Sequence, residues 1–226
     1  MDTQPLRAGG TVSDVIDRYQ TTVYGLALAR LGSGELRRAE LHWDGEGVLE
    51  GELLCYLEPV LCGERDHLAH PAFSKLFVES RAIPGGVSFR RRPRGAEEHP
   101  VLAALWDGEG STFTTSRQAA LGRGGLRALA GGGPGPLKGE TGAVLDPCLM
   151  VRLPVRLRPG ESCALRLALG VSDRLDAAAD TAQRLLEEGA VTVNGRGAKK
   201  NRSAPSKRMN NSAKQQYFQV LACLKR

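Results

Sequence analysis

Several constellations in this chain carry residue types able to do chemistry. His67-x-x-His70, with Cys62 and Asp66 nearby, has the donor types of a transition-metal site. The spacing matches no standard ligand set, so no metal is expected. Gly122-Arg123-Gly124-Gly125 suggests a phosphate cradle. However, Arg127 stands where the third glycine of G-x-G-x-x-G belongs, and no Lys-Ser/Thr follows as in a P-loop. A flexible connection is the better reading. Arg117 and Arg123 are the candidates for touching a ligand, because a guanidinium offers a planar fork of donors to hydroxyl or phosphate oxygens. The commoner use of such an arginine is a structural ion pair. Trp43 and Trp106 have rings that can stack on a flat ligand face, although in a chain with only 11 aromatic residues a tryptophan more often fills the core. Arg90-Arg91-Arg92 with Arg94 reads as a basic, solvated sheet edge that discourages strand pairing. Asp146 suits a turn or strand end better than acid catalysis. No catalytic residue and no cofactor emerge from these patterns.

The elements that must position these residues read as strands. Leu149, Val151, Leu153, Val155 and Leu157 are apolar at every second position, and Leu165, Leu167, Leu169 and Val171 resume the pattern after Pro159-Gly160. Side chains on a strand alternate between faces, so the spacing predicts a hairpin of two half-buried strands joined by a tight turn. Two strands are marginal in water, so one face must meet another sheet. Glu35–Leu41, Val48–Leu61, Val87–Arg94, Val101–Trp106 and Phe113–Arg117 read as further strands, with turn signals at intervals of about 8–12 residues, as in a sandwich or barrel. Within Val48–Leu61 neither face is polar, as expected of a strand covered on both sides. Thr11–Arg30 fits either a helix and a strand or two strands. Leu175, Ala178, Ala179, Ala182, Leu185 and Leu186 fall at helical spacing, predicting a helix over Asp173–Glu188 with Ser172 as N-cap and Gly189 as terminator.

Composition sets the bounds. A chain of 226 residues can hold one large all-β domain or two small ones, and 28 glycines and 12 prolines suit a turn-rich β protein better than a helical bundle. The net charge of +6 is unevenly placed: residues 191–226 hold nine Lys/Arg and no Asp or Glu, so residues 1–190 carry 22 basic and 25 acidic side chains, a net of −3. The segment 190–226 is expected to be a disordered basic tail, without periodicity until Tyr217–Leu224. Its charge permits non-specific binding to phosphate backbones, with only Tyr217 and Phe218 available for stacking. A change of reading frame near Gly189-Ala190 would also account for the abrupt loss of acidic residues. Five cysteines with no C-x-x-C spacing point to a reducing, cytoplasmic setting. The N-terminus shows no signal peptide, and no run approaches 18 apolar residues.

Four stretches in order then carry a resemblance: His70-Pro71-Ala72-Phe73-Ser74-Lys75-Leu76-Phe77-Val78-Glu79; Phe113-Thr114-Thr115-Ser116-Arg117 with Leu121-Gly122-Arg123-Gly124; Thr141-Gly142-Ala143-Val144-Leu145-Asp146-Pro147; and the Leu-Arg-Pro-Gly-Glu turn at 157–161. Over roughly residues 20–188 the chain resembles the phosphorylase-like part of cyclic β-1,2-glucan synthases, which is similar to cellobiose and chitobiose phosphorylases. The resemblance implies an all-β, antiparallel β-supersandwich over residues 20–172, preceded by an N-terminal segment, 1–19, and followed by the start of a linker helix, 173–189. It implies a role in binding a β-glucan or gluco-oligosaccharide and in docking onto an (α/α)6 barrel that carries the catalytic acid. Inverting phosphorolysis needs one carboxylic acid to protonate the glycosidic oxygen while phosphate attacks the anomeric carbon. The barrel has no counterpart in this sequence, so inorganic phosphate is expected as a partner only where a barrel is supplied. Full-length relatives of this kind include membrane-bound synthases, whose cytoplasmic part this segment resembles. The leading expectation is a carbohydrate-binding sandwich without catalysis of its own. The alternative is a nucleic-acid-binding protein acting through its tail, although nucleic acid is not the expected partner.

Overall fold

The computed structural model describes residues 27–31, 34–43, 46–62, 67, 69–93, 100–125, 136–188 and 218–225. In chain order the strands are β1 (Ala27–Leu31), β2 (Gly34–His42), β3 (Leu49–Leu57), β4 (Val78–Ile83), β5 (Gly86–Arg91), β6 (Val101–Trp106), β7 (Thr112–Ser116), β8 (Pro147–Leu157), β9 (Ser162–Ser172) and β10 (Phe218–Lys225). Helix α1 (Pro71–Leu76) precedes β4, α2 (Arg117–Leu121) follows β7, and α3 (Leu175–Glu188) follows β9. The strands form two antiparallel sheets, one of six strands in the order β1-β2-β9-β6-β5-β4 and one of four in the order β10-β3-β8-β7. This is the antiparallel sandwich with a C-terminal helix that the alternation and the helical spacing predict.

The core lies between the sheets. Leu53, Cys55 and Leu57 of β3 and Leu149, Val151, Leu153, Val155 and Leu157 of β8 meet Phe89, Leu102, Leu165, Leu167 and Leu169 from the other layer. The alternating residues of β8 and β9 therefore share one core, as expected, but the two strands are not a hairpin. β8 pairs with β3 and β7, whereas β9 pairs with β2 and β6. The turn between them carries the chain from one sheet to the other. In it Glu161 N donates to Arg158 O at 3.0 Å, with Pro159 second and Gly160 third at φ 82°, the conformation a type II turn requires. β2 and β3 are likewise consecutive strands in opposite sheets. Alternation reports where side chains point, not which backbone groups pair, and two inward faces look the same whichever layer they belong to.

Three further expectations change. Arg90 and Arg91 sit on β5, which lies between β4 and β6 and is not an edge. Arg91 instead rests over the Phe77 ring, 5.9 Å from its centroid, and Arg92 pairs with Glu79 at 3.0 Å. The last helix begins at Leu175, two residues late, because the Ser172 hydroxyl accepts from Arg174 N (3.4 Å) in a local turn. Of the segment 190–226, expected to lack order, residues 218–225 form β10 on the margin of β3, and 190–217 lie outside the described residues, as do 1–26.

Helix α3 lies on the outer face of the six-stranded sheet, where Ala182 and Leu185 pack on Leu36, Leu105 and Ala168. Gly170 makes the approach possible, since a Cβ there would stand 2.0 Å from Ala178 O. β3 is buried on both faces, as predicted. Its outer-facing Leu54 and Tyr56 pack with Ala120, Leu121, Cys148 and Met150. The segment 139–142 closes one side of the sandwich by bonding to the margins of both sheets. Gly139 N donates to Phe113 O (2.8 Å) and Thr115 N to Glu140 O (3.0 Å) on β7, while Ser80 on β4 exchanges backbone bonds with Gly142 at 3.0 and 2.9 Å. Buried hydroxyls reinforce this seam, with Ser80 Oγ 2.6 Å from Thr115 Oγ1. Among the described residues no helix is long and apolar enough to cross a membrane.

Candidate functional site

Where β3 ends, Glu58 continues its direction and gathers residues from three distant segments. Tyr56, two residues earlier on the same face, donates its hydroxyl to Glu58 Oε1 at 2.6 Å. Lys75, from α1, pairs with Glu58 Oε2 and reaches Asp146 Oδ1 at 3.4 Å. Arg117, the first residue of α2, stands with Nε 3.6 Å from Glu58 Oε1 and Nη1 3.6 Å from Asp146 Oδ2. Its backbone N–H also donates to Asp146 O at 3.0 Å, which fixes the start of α2 against the start of β8. Ser116 prepares that start as an N-cap, accepting from Ala119 N at 3.3 Å. Lys75, Arg117 and Asp146 belong to three separate sequence motifs, and the fold brings all three to one glutamate.

The charges balance, two cationic and two anionic, so the cluster is no simple anion trap. Burial alone would push the Glu58 carboxyl up, but hydrogen bonds from Lys75 and Tyr56 and the charges of Lys75 and Arg117 hold it below its ordinary value. A carboxyl kept ionised cannot protonate a glycosidic oxygen. Burial, and then the hydrogen bond to Glu58, push the Tyr56 phenol up; burial followed by Glu58 and Asp146 does the same to the Cys148 thiol. Both stay protonated at neutral pH, and Cys148 is not an activated nucleophile. What the cluster can offer is hydrogen bonding. Arg117 keeps about a third of its side chain exposed (37%) and is held in place by two carboxylates.

The surroundings add apolar surface. Helix α1 turns Ser74 and Lys75 inward and leaves Phe73 (59% exposed) and Leu76 outward. Ser74 Oγ is held by His67 Nδ1 at 2.7 Å, and His70 meets the Phe73 ring edge-on at 6.0 Å. Leu145, next to Asp146, is 83% exposed. A short helix with polar residues inside and apolar ones outside is the reverse of the usual arrangement for a free surface.

The other sequence candidates fall elsewhere. Arg123 is exposed and is not part of the ion-paired cluster; it follows Gly122, whose φ of 56° and N–H bond to Gln118 O end α2. Gly122 thus serves as the helix terminator. His67 and His70 gather no metal-binding set, and among the described residues no group of three or more His, Cys, Asp or Glu is placed to hold an ion. Asp66 lies outside the described residues. Trp43 and Trp106 pack against the main core, with Trp106 5.2 Å from Phe113 and donating to Ser111 Oγ at 3.2 Å. Glu58 and Tyr56 were not legible as site residues. The available signal was a Tyr-x-Glu pair on one face at the end of an apolar strand.

Comparison with known proteins agrees with the sandwich fold. The family model described as "Glycosyl hydrolase 94, supersandwich domain" matches residues 28–188, a stretch that includes Glu58, Lys75, Arg117 and Asp146. The chain is also similar to the cyclic beta-(1,2)-glucan synthase NdvB of Rhizobium meliloti (strain 1021), with 32% identity over 124 residues, 50% of this chain. The match spans 4% of the length of that relative.

Proposed function

The chain belongs to the Glycosyl hydrolase 94 supersandwich-domain family, and from that premise we propose that it supplies a glucan-binding and docking surface, not a catalytic centre. One observation carries the reading: Lys75, Arg117 and Asp146 converge on Glu58 beside exposed Phe73, Leu76 and Leu145. Sugars present a ring of hydroxyls around apolar C–H faces, so a guanidinium held by two carboxylates, with exposed apolar side chains on the neighbouring segments, is a fitting partner for them. Arg117 donates to sugar hydroxyls in this reading, and Arg123 extends the same end of the molecule. The bound class is a β-linked gluco-oligosaccharide. The apolar face of α1 docks onto a helical barrel, which supplies the general acid and the phosphate site. The setting in this reading is cytoplasmic and reducing; an odd number of cysteines with no C-x-x-C spacing supports it.

The test is calorimetric titration of the purified chain with β-1,2- and β-1,4-gluco-oligosaccharides, alongside Arg117→Ala, Arg117→Lys and Arg123→Ala. Saturable binding weakened at least about tenfold by R117A, with the fold intact by circular dichroism, is the expected result. Absence of binding at millimolar sugar would overturn the glucan reading. Release of glucose 1-phosphate on adding phosphate would overturn the claim that catalysis lies elsewhere.

A further inference from the structure

The four charged groups of the cluster close a ring in which neighbours alternate in sign: Glu58, Lys75, Asp146, Arg117 and back to Glu58. The ring has a closed half and an open half. The Glu58 and Lys75 side chains keep only 22% and 14% of their exposure, and the Tyr56 hydroxyl takes Glu58 Oε1 while Lys75 takes Oε2. Arg117 and Asp146 keep 37% and 40%. Their contacts are also looser. Arg117 stands 3.6 Å from each carboxylate, beyond hydrogen-bond length, so charge holds it in place without tying its donors to either one. Asp146 Oδ1 receives a long bond from Lys75 at 3.4 Å, and Oδ2 faces Arg117 across the 3.6 Å gap. The two backbones are meanwhile fixed together, with Arg117 N donating to Asp146 O at 3.0 Å. A fork of donors thus lies beside an acceptor, both open to solvent on a rigid base.

A hydroxyl group both donates and accepts, so a vicinal pair offers two acceptors to a guanidinium and a donor to a carboxylate. The charged oxygens of phosphate only accept, and they meet Asp146 as a like charge. We propose that Arg117 and Asp146 form a subsite for a vicinal diol, Arg117 donating to both hydroxyls and Asp146 accepting from one, and that Asp146 excludes phosphate from it. This rests on the glucan reading above and adds to it the recognised unit and the discriminating residue. The linkage decides where such a unit exists. Inner units of a β-1,4-linked chain keep their 2- and 3-hydroxyls, and those of a β-1,2-linked chain keep their 3- and 4-hydroxyls. A β-1,3-linked chain has a vicinal pair only on its end units.

Calorimetric titration of the full chain tests both parts, using oligosaccharides of each linkage at about eight units and inorganic phosphate. The β-1,2 and β-1,4 chains should bind alike, and the β-1,3 chain at least about threefold more weakly. Asp146→Asn keeps an acceptor but leaves two cationic groups against one anionic. It should bind phosphate at least about tenfold more tightly than the parent and lose at least about threefold in sugar affinity. Glu46→Gln makes the same change of charge on an exposed residue just before β3, at the end of that strand away from Glu58, and should leave phosphate binding as in the parent. If no sugar binds the parent, the glucan reading fails and the subsite with it. If sugar binds and R117A weakens it, yet the three linkages bind alike or D146N gains nothing for phosphate, the subsite alone is overturned.

Discussion

Replacing Glu58 by glutamine tests whether this residue holds the cluster together. The amide keeps the shape and can still accept from Tyr56, but the charge facing Lys75 and Arg117 is gone. A charge-assisted hydrogen bond contributes about 1.5–3 kcal/mol against about 0.5–1.5 kcal/mol for a neutral one. Some of the difference is screened, since the Glu58 and Lys75 side chains retain 22% and 14% of their exposure, and Asp146 still backs Lys75 at 3.4 Å. The expected loss is about 1–2 kcal/mol, or a fall in Tm of about 2–8 °C for a domain of this size. Acid provides the sharper readout. The native Glu58 carboxyl is held below its ordinary value of 4.5, so its contribution is fully present above that pH and is lost as pH falls through the lower native value. Urea unfolding of the parent and E58Q, followed by circular dichroism between pH 7 and pH 3, should therefore show a gap that closes in acid. Equal stabilities at pH 7, or a gap that persists undiminished at the acid end, would refute the reasoning.

Two other perturbations address the frame around the site. Gly170→Ala drives a Cβ to 2.0 Å from Ala178 O, a backbone atom with little room to move, and should cost about 1–3 kcal/mol by lifting α3 from the sheet; unchanged denaturant midpoints would contradict the close packing. Thr115→Val leaves Ser80 Oγ without its 2.6 Å partner and Glu140 O without one of its donors, at about 1–2 kcal/mol. Hydrogen exchange at the Ser80 and Gly142 amides should accelerate in T115V, and unaltered protection would show that the seam does not depend on the hydroxyl.

The sequence by itself determined β2, β3 and β5–β9 as strands and which residues of β8 and β9 face the core, while it left β1 open, did not mark β4 and placed β10 in a disordered tail. Apolar residues at every second position in β8 and β9 leave no other way to bury them, and their inward faces are found where the spacing predicts. It determined the helix after β9 in the same way, through its 3.6-residue spacing. It also marked the motifs that hold Lys75, Arg117 and Asp146, without saying that they meet. Only the tertiary structure decided the pairing. Backbone N–H and C=O groups are nearly identical from residue to residue, so the choice between a β8–β9 hairpin and a crossing from sheet to sheet depends on how all ten strands share two layers. For the same reason Arg90 and Arg91 came to lie on an interior strand. Glu58 is the clearest case: a single glutamate at a strand end carries no pattern, and its role exists only because three segments separated by up to 71 residues bring their charges to it.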